Sequence, residues 1–271
     1  MNYRHAFHAG NHADVLKHIT LLAVIRRMQQ KPAGVQFLDT HAGSGVYDLH
    51  GSEASRTGEA AGGVLAIAAA APADLKDYLE ITSQPSDPKH YPGSPELIRR
   101  CLRQEDRLIA CDLHPEEHQA LRQTLGRDAR VSVHLRDGYE ALGAFLPPRL
   151  KRSLVLIDPP YESSVEAQRV AAALRTAWLR FPSGVYLVWY PITAAVRTPR
   201  LLAEIAGSGV QRVLRVSLTL ASAPTALVGS GLVIVNPPWQ LDAILRPQLM
   251  AAAAVLGGSV TIDWLVPEPI A

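Results

Sequence analysis

The sequence predicts an α/β fold: a mostly parallel sheet of seven strands, helices on both faces, and a small helical subdomain inserted after the first strand. Three observations predict it. The strand candidates are continuous apolar runs, as strands buried on both faces require, rather than alternating ones. Helical patterns separate the first five of them. And about sixty residues lie between Gly43 and Arg107, where a crossover needs only a helix and a short loop.

A helix is predicted from His12 to Gln29, with Asn11 as its N-cap. VQFLDTHAG (Val35–Gly43) is a strand running into a glycine loop. The insert carries helical patches over Gly62–Ala71, Asp74–Glu80 and Pro95–Gln104, with a polar loop, TSQPSDPKHYPGS, before the last of them. Ser94 is placed as that helix's N-cap and Pro95 as its first residue. RLIACDLHP is the second strand, with a helix from Pro115, and VSVHLRDG is the third, with a helix over Tyr139–Phe145. SLVLIDPPY is the fourth, followed by a helix over Val165–Phe181, and GVYLVWYP is the fifth, followed by the helical TPRLLAEIAGSG. RVLRVSLTLA and GSGLVIVNPP then follow each other so closely that they are expected to pair antiparallel. The organisation expected is tail, helix, strand and glycine loop over 1–46, the inserted subdomain over 47–106, and the remainder of the domain over 107–271.

At 271 residues the chain suits one domain with an insertion. Cys101 and Cys111 offer no disulfide framework, the opening MNYRHAFHAG lacks an apolar signal segment, and no apolar run is long enough to span a membrane. A cytoplasmic location is therefore expected. The net charge of +2 neither demands nor excludes nucleic acid. The first 31 residues are more lopsided, with Arg4, Lys17, Arg26, Arg27 and Lys31 against Asp14 alone. Such a basic tail suits phosphate contact. With Tyr3 and Phe7, and glycine at its end, Met1–Gly10 is expected to move, closing over a filled site.

Each of the first four strands ends in an aspartate: Asp39, Asp112, Asp137 and Asp158. In an open parallel sheet, ligands bind at that rim. LDTHAGSG brings a backbone close to a ligand but lacks the third glycine of a dinucleotide fingerprint. Asp112 suits ribose hydroxyls, and Asp137 suits an exocyclic amine such as that of adenine. An adenosine without a diphosphate fits this set, and S-adenosylmethionine is such a molecule. The N-terminus at Ser94 and Pro95 could hold its methionine carboxylate.

DPPY (Asp158–Tyr161) then suits methylation of an amine on a base. Asp158 and the Pro159 carbonyl accept its two N–H bonds, Tyr161 stacks on the ring, and the prolines stiffen the loop. The twin tetrad NPPW (Asn236–Trp239) ends an antiparallel strand at the opposite rim, and is expected to be a structural turn with a packed indole. His5, His8, His12, His18 and His41 come without H-E-x-x-H or a cysteine pair, so no metal is expected. The residues alone leave open a DNA adenine-N6 methyltransferase, a nucleotide-binding oxidoreductase and a non-catalytic RNA-binding module.

With YRHAFHAGNHADVLKH, LDTHAGSG, YPGSPELI, DLHP, RDGY, LIDPPYE, LVWYPI and VIVNPPW in this order, the sequence closely resembles the RlmJ family of 23S ribosomal RNA adenine-N6 methyltransferases, from Tyr3 to about Glu268. The resemblance implies a Rossmann-like class I methyltransferase, a monomer, that uses S-adenosylmethionine on one adenine of 23S rRNA. It also implies cofactor contacts at His18, His41, Ser94, Asp112, Asp137, Gly138 and Asp158, with Asp158 as proton acceptor and Tyr3 touching RNA.

Overall fold

The computed structural model describes residues 4–83, 89–163, 165–193, 198–222 and 225–267. Its elements begin with α1 (His12–Gln29), β1 (Gln36–Asp39), β2 (Val46–Asp48), α2 (Ser52–Thr57), α3 (Val64–Ala70), α4 (Lys76–Thr82), β3 (His90–Pro92) and α5 (Ser94–Cys101). They continue with β4 (Arg107–Asp112), α6 (Pro115–Leu125), β5 (Val131–Leu135), α7 (Gly138–Phe145), β6 (Ser153–Ile157) and α8 (Glu166–Arg180). The last are β7 (Val185–Thr193), α9 (Thr198–Ala206), β8 (Val213–Leu220), β9 (Leu227–Val235), α10 (Leu241–Leu256) and β10 (Gly258–Val266).

The central sheet has the order β10-β8-β9-β7-β6-β1-β4-β5. Strands β5, β4, β1, β6 and β7 run parallel; β6 and β7 have the unbroken apolar sequences that predict this, whereas β5 alternates apolar and polar residues at the sheet edge. Strands β9, β8 and β10 are added antiparallel. The sheet thus has eight strands rather than seven. Helix α10 and β10 escape the sequence reading because Pro247 interrupts the helical pattern and GSVTIDWLV is only half apolar. One face of the sheet is covered by α1, α5, α6 and α10 through Leu16, Ile25, Ile98, Leu121 and Leu249. The other is covered by α7, α8 and α9 through Leu142, Val170, Leu174 and Ile205. Each such side chain contributes about 1.5–3 kcal/mol by leaving water.

Asn11 caps α1 as predicted, its side chain accepting from Ala13 N at 2.9 Å and Asp14 N at 3.1 Å. This helix has almost no polar face, and Asp14, Lys17 and His18 are buried with its leucines. Between β1 and β4, α2, α3 and α4 are accompanied by a two-stranded ribbon, β2 against β3, too short at three residues a side to leave a pattern. Ser94 is not the cap of α5. Gly93 holds that place with extended backbone, and the Ser94 hydroxyl goes instead to Asp39 Oδ2 at 2.6 Å. Among the described residues no helix is long and apolar enough to cross a membrane.

Register places the two proline tetrads. Asp158 follows β6 at the carboxyl rim, whereas Val235 pairs with Tyr186 at the start of β7, so Asn236 lies at the opposite rim. Asn236 Nδ2 donates to Pro182 O and Gly184 O, both at 2.7 Å, which makes the turn structural. Its indole is not packed, however: Trp239 is 76 % exposed. The prolines fix the turn, and the pattern of letters does not say which way the ring faces.

Candidate active site

A cavity of about 410 Å³ opens at the carboxyl ends of the parallel strands. Of the residues singled out in sequence, His41, Ser94, Asp112, Asp158, Pro159 and Tyr161 line it. His5 and His8, weighed in sequence as metal ligands, line it too, whereas His18, Asp137 and Gly138 do not. Tyr3 lies outside the described residues.

The glycine loop is tied to β4 by Asp112, which accepts from Gly43 N at 2.9 Å and His114 N at 2.8 Å. Burial pushes this carboxyl up from its ordinary value, and the two backbone N–H bonds oppose the shift. Gly43 has φ +61°, and a Cβ there would lie 2.1 Å from the Tyr47 hydroxyl. Only glycine allows the loop to curl here. Asp137 caps α7 through Tyr139 N and Glu140 N. Gly138 permits α7 to approach β1, since a Cβ would meet Thr40 O at 2.4 Å and the His41 ring at 2.7 Å.

His41 has its pKa lowered to about 4 by burial, so its ring is neutral at pH 7. Thr40 Oγ1 gives its proton to Leu156 O and lies 2.8 Å from His41 Nδ1. Nδ1 must therefore carry the ring proton, which leaves Nε2 as an acceptor. His18 is fully buried, with Nδ1 2.6 Å from the Tyr91 hydroxyl.

Tyr161 carries φ +51°, a strained backbone for a bulky residue. Its hydroxyl donates to Trp189 O at 2.8 Å, and the two rings meet edge to face with centroids 5.8 Å apart. The tetrad thus presents an aromatic ring held at both ends.

Sequence reasoning missed the charged group behind Asp158. Lys17 Nζ lies 2.7 Å from Asp158 Oδ2 and 2.8 Å from Asp14 Oδ1, and all three are screened from solvent. Burial opposes charge on Lys17 and Asp14. Asp14 and Asp158 nonetheless hold the ammonium pKa well above its ordinary value, and His5 and Lys17 hold Asp14 well below its own. The available signal was a lysine and an aspartate inside the apolar run of α1.

Residues 4–10 form a strap over the insert. Arg4 pairs with Glu116 at 2.8 Å and Glu53 at 3.4 Å, His8 meets Glu59 at 2.9 Å, and Gly10 O accepts from Val64 N at 2.8 Å. Among the described residues no group of three or more His, Cys, Asp or Glu is placed to hold a metal ion.

Asp39 offers a pH test. Burial pushes its carboxyl up to about 7, against the Ser94 hydrogen bond. Folded protein therefore keeps this proton while unfolded chain has lost it, and the contribution of Asp39 to stability falls as pH rises from about 4 to 7. Asp39→Asn removes that fall. Urea midpoints measured from pH 4 to 8 should show the variant gaining on the parent across this window and levelling above it; a constant difference would contradict it.

Residues 32–266 match the family model described as ribosomal RNA large subunit methyltransferase D, RlmJ. The chain belongs to this family. The ribosomal RNA large subunit methyltransferase J of Escherichia coli (strain K12) is 36 % identical over 279 residues, covering 99 % of this chain and 100 % of that protein. Its counterpart in Haemophilus influenzae is 35 % identical, with the same coverage. A crystal structure of a Legionella pneumophila protein, 31 % identical, superposes with a TM-score of 0.87 over 95 % of this chain and 98 % of that one. Membership of the family makes the protein a ribosomal RNA methyltransferase, on the α/β sheet described above.

Proposed function

We propose that this methyltransferase transfers a methyl group from S-adenosylmethionine to the exocyclic N6 amine of one adenine in 23S rRNA. The observation that carries the reading is Asp158–Tyr161 at the mouth of the cavity that the glycine loop and Asp112 also line. A cavity of about 410 Å³ is in the range that holds a ligand of this size. Its donor set suits an adenosine with an amino-acid tail. Each Asp112 oxygen receives one backbone N–H and keeps a lone pair for a ribose hydroxyl. The start of α5, beside Ser94, offers N–H groups to the tail's carboxylate. His18, Asp137 and Gly138 shape the cofactor site without lining the cavity, and Tyr3 touches the RNA.

S-adenosylmethionine supplies an electrophilic methyl on a sulfonium. The chain supplies alignment. Lys17 occupies Asp158 Oδ2, so the amine meets Oδ1, while the Pro159 carbonyl accepts its second N–H. The nitrogen lone pair then faces the methyl carbon. As the N–C bond forms and the C–S bond breaks, the surplus proton on nitrogen passes to Asp158. Tyr161 stacks on the base, with its hydroxyl anchored on Trp189 O. The protein acts in the cytoplasm as a monomer, with residues 47–106 as its inserted subdomain.

Labelled S-adenosylmethionine offered with unmodified 23S rRNA, 16S rRNA and DNA tests the substrate. Label is expected in the 23S molecule. Equal or faster labelling of DNA would overturn the choice of polymer. Asp112→Ala should weaken cofactor binding by roughly 10- to 150-fold, the equivalent of a charge-assisted hydrogen bond worth about 1.5–3 kcal/mol. Unchanged affinity by calorimetry would remove Asp112 from the ribose. Tyr161→Ala should lose more activity than Tyr161→Phe, which keeps the stacking face; equal losses would assign the role to the hydroxyl.

A further inference from the structure

The loops at the end of the sheet away from the cavity are strongly basic. Segments 26–35, 102–107, 126–130, 146–152, 180–184, 207–212 and 236–242 hold twelve Lys or Arg and four Asp or Glu, a net of +8. The whole chain carries +2, so everything else, the cavity face included, carries −6. We propose that this rim is a track for the phosphate backbone of the ribosomal RNA, with Trp239 as a stacking platform at one end. The proposal rests on the reading of the substrate as RNA.

The segments form one continuous row, because hydrogen bonds tie each to the next. Asn236 reaches Pro182 O and Gly184 O through its side chain and Arg212 O through its backbone N–H, and Arg27 donates to Trp239 O at 2.7 Å. Arg152 donates to Met28 O and Ala33 O, Arg103 to Lys31 O and Ala33 O, and Arg130 to Leu102 O. The row crosses seven strands from β8 to β5, a length of about 30 Å at the usual strand spacing.

Cations near helix C-termini have a structural explanation in the helix dipole. Guanidinium groups bound to loop carbonyls have another. The carbonyl bonds cover none of Lys31, Arg127, Arg149 and Lys151, which are exposed and whose side chains make no hydrogen bond or ion pair among the described residues, and the dipole covers only Lys31 and Arg127, just past the ends of α1 and α6. Their mutual repulsion gains the fold nothing. A polyanion laid along the row would offset it, releasing counterions as it binds.

Trp239 is an independent observation. It is 76 % exposed on a turn held by Pro237, Pro238, the Asn236 amide and the Arg27 bond to its own carbonyl. A rigid turn that presents an indole to solvent suits a ligand with flat π faces, and bases stack on such rings with little regard to sequence. Phosphates and bases together describe RNA better than an anionic lipid surface, which has no rings to stack. A long RNA bound here can also reach the cavity at the other rim.

The test compares the parent with a variant combining Lys31→Glu, Arg127→Glu, Arg149→Glu and Lys151→Glu, and separately with Trp239→Ala. Binding is measured on a long 23S rRNA fragment and on anionic vesicles, and methyl transfer on that fragment and on a short oligonucleotide around the target base. In the charge-reversed protein, affinity for the long RNA should fall at least tenfold, and the slope of log K against log salt should shrink by about three. The short oligonucleotide should be methylated as before, and the thermal midpoint should not move. Trp239→Ala should lose about tenfold on the long RNA. Unchanged long-RNA affinity and salt slope would overturn the track, as would a loss confined to anionic vesicles. If the parent methylates no RNA, the substrate reading fails, and the binding arm still reports on the rim.

Discussion

Asp158→Asn is expected to fold like the parent, bind S-adenosylmethionine nearly as well and lose about 10²- to 10⁴-fold in turnover, the range a positioned general base contributes. The fold should survive because the amide oxygen still accepts from Lys17, whose bond of 2.8 Å to Asp14 is untouched. Turnover should not. The amide cannot take the proton shed by the methylated nitrogen, and its N–H would face the N–H of the amine. Single-turnover rates with saturating RNA and cofactor measure the effect. Near-parental turnover in a fully folded variant would remove Asp158 from the chemistry.

Lys17→Met should have the largest effect on stability. Lys17 is 5 % exposed and neutralises two carboxylates on elements far apart in sequence. Breaking a buried ion pair by deleting one partner costs about 3–5 kcal/mol, and in a chain of this size that lowers the thermal midpoint by ~10 °C. Methionine matches the length of the lysine stem, so the loss reports on charge rather than on volume. In an Asp158→Asn background the same substitution should cost less, because only Asp14 is then left with excess charge; double-mutant cycles read that difference directly. An unmoved midpoint in Lys17→Met would mean that the group is hydrated and contributes little.

Much of this was legible in sequence because it is local. Continuous apolar runs marked the parallel strands, Asn11 marked the start of α1 to the residue, and the long interval after β1 marked an insert. The position of Asp158 at the carboxyl rim followed from β6 alone. What was not legible depends on distant partners. Lys17 and Asp158 are 141 residues apart, and no spacing rule connects them. Ser94 has the right letter and neighbour for a helix cap, but Asp39, brought alongside by β1, is the stronger acceptor for its hydroxyl. The two proline tetrads are alike in composition, and the short connection that marks β8 and β9 as antiparallel tells the site from the turn. The exposed ring of Trp239 was invisible, because nothing in NPPW says which way the indole faces.

Nucleoside analysis after methyl transfer is the most direct test of the proposed chemistry. Unmodified 23S rRNA is incubated with methyl-labelled S-adenosylmethionine and the parent enzyme or Asp158→Asn, then digested to nucleosides and resolved by mass. The expected product is N6-methyladenosine from a single position with the parent, and only a trace with the variant. Label on a ribose, on a ring carbon, or on a base other than adenine would contradict it.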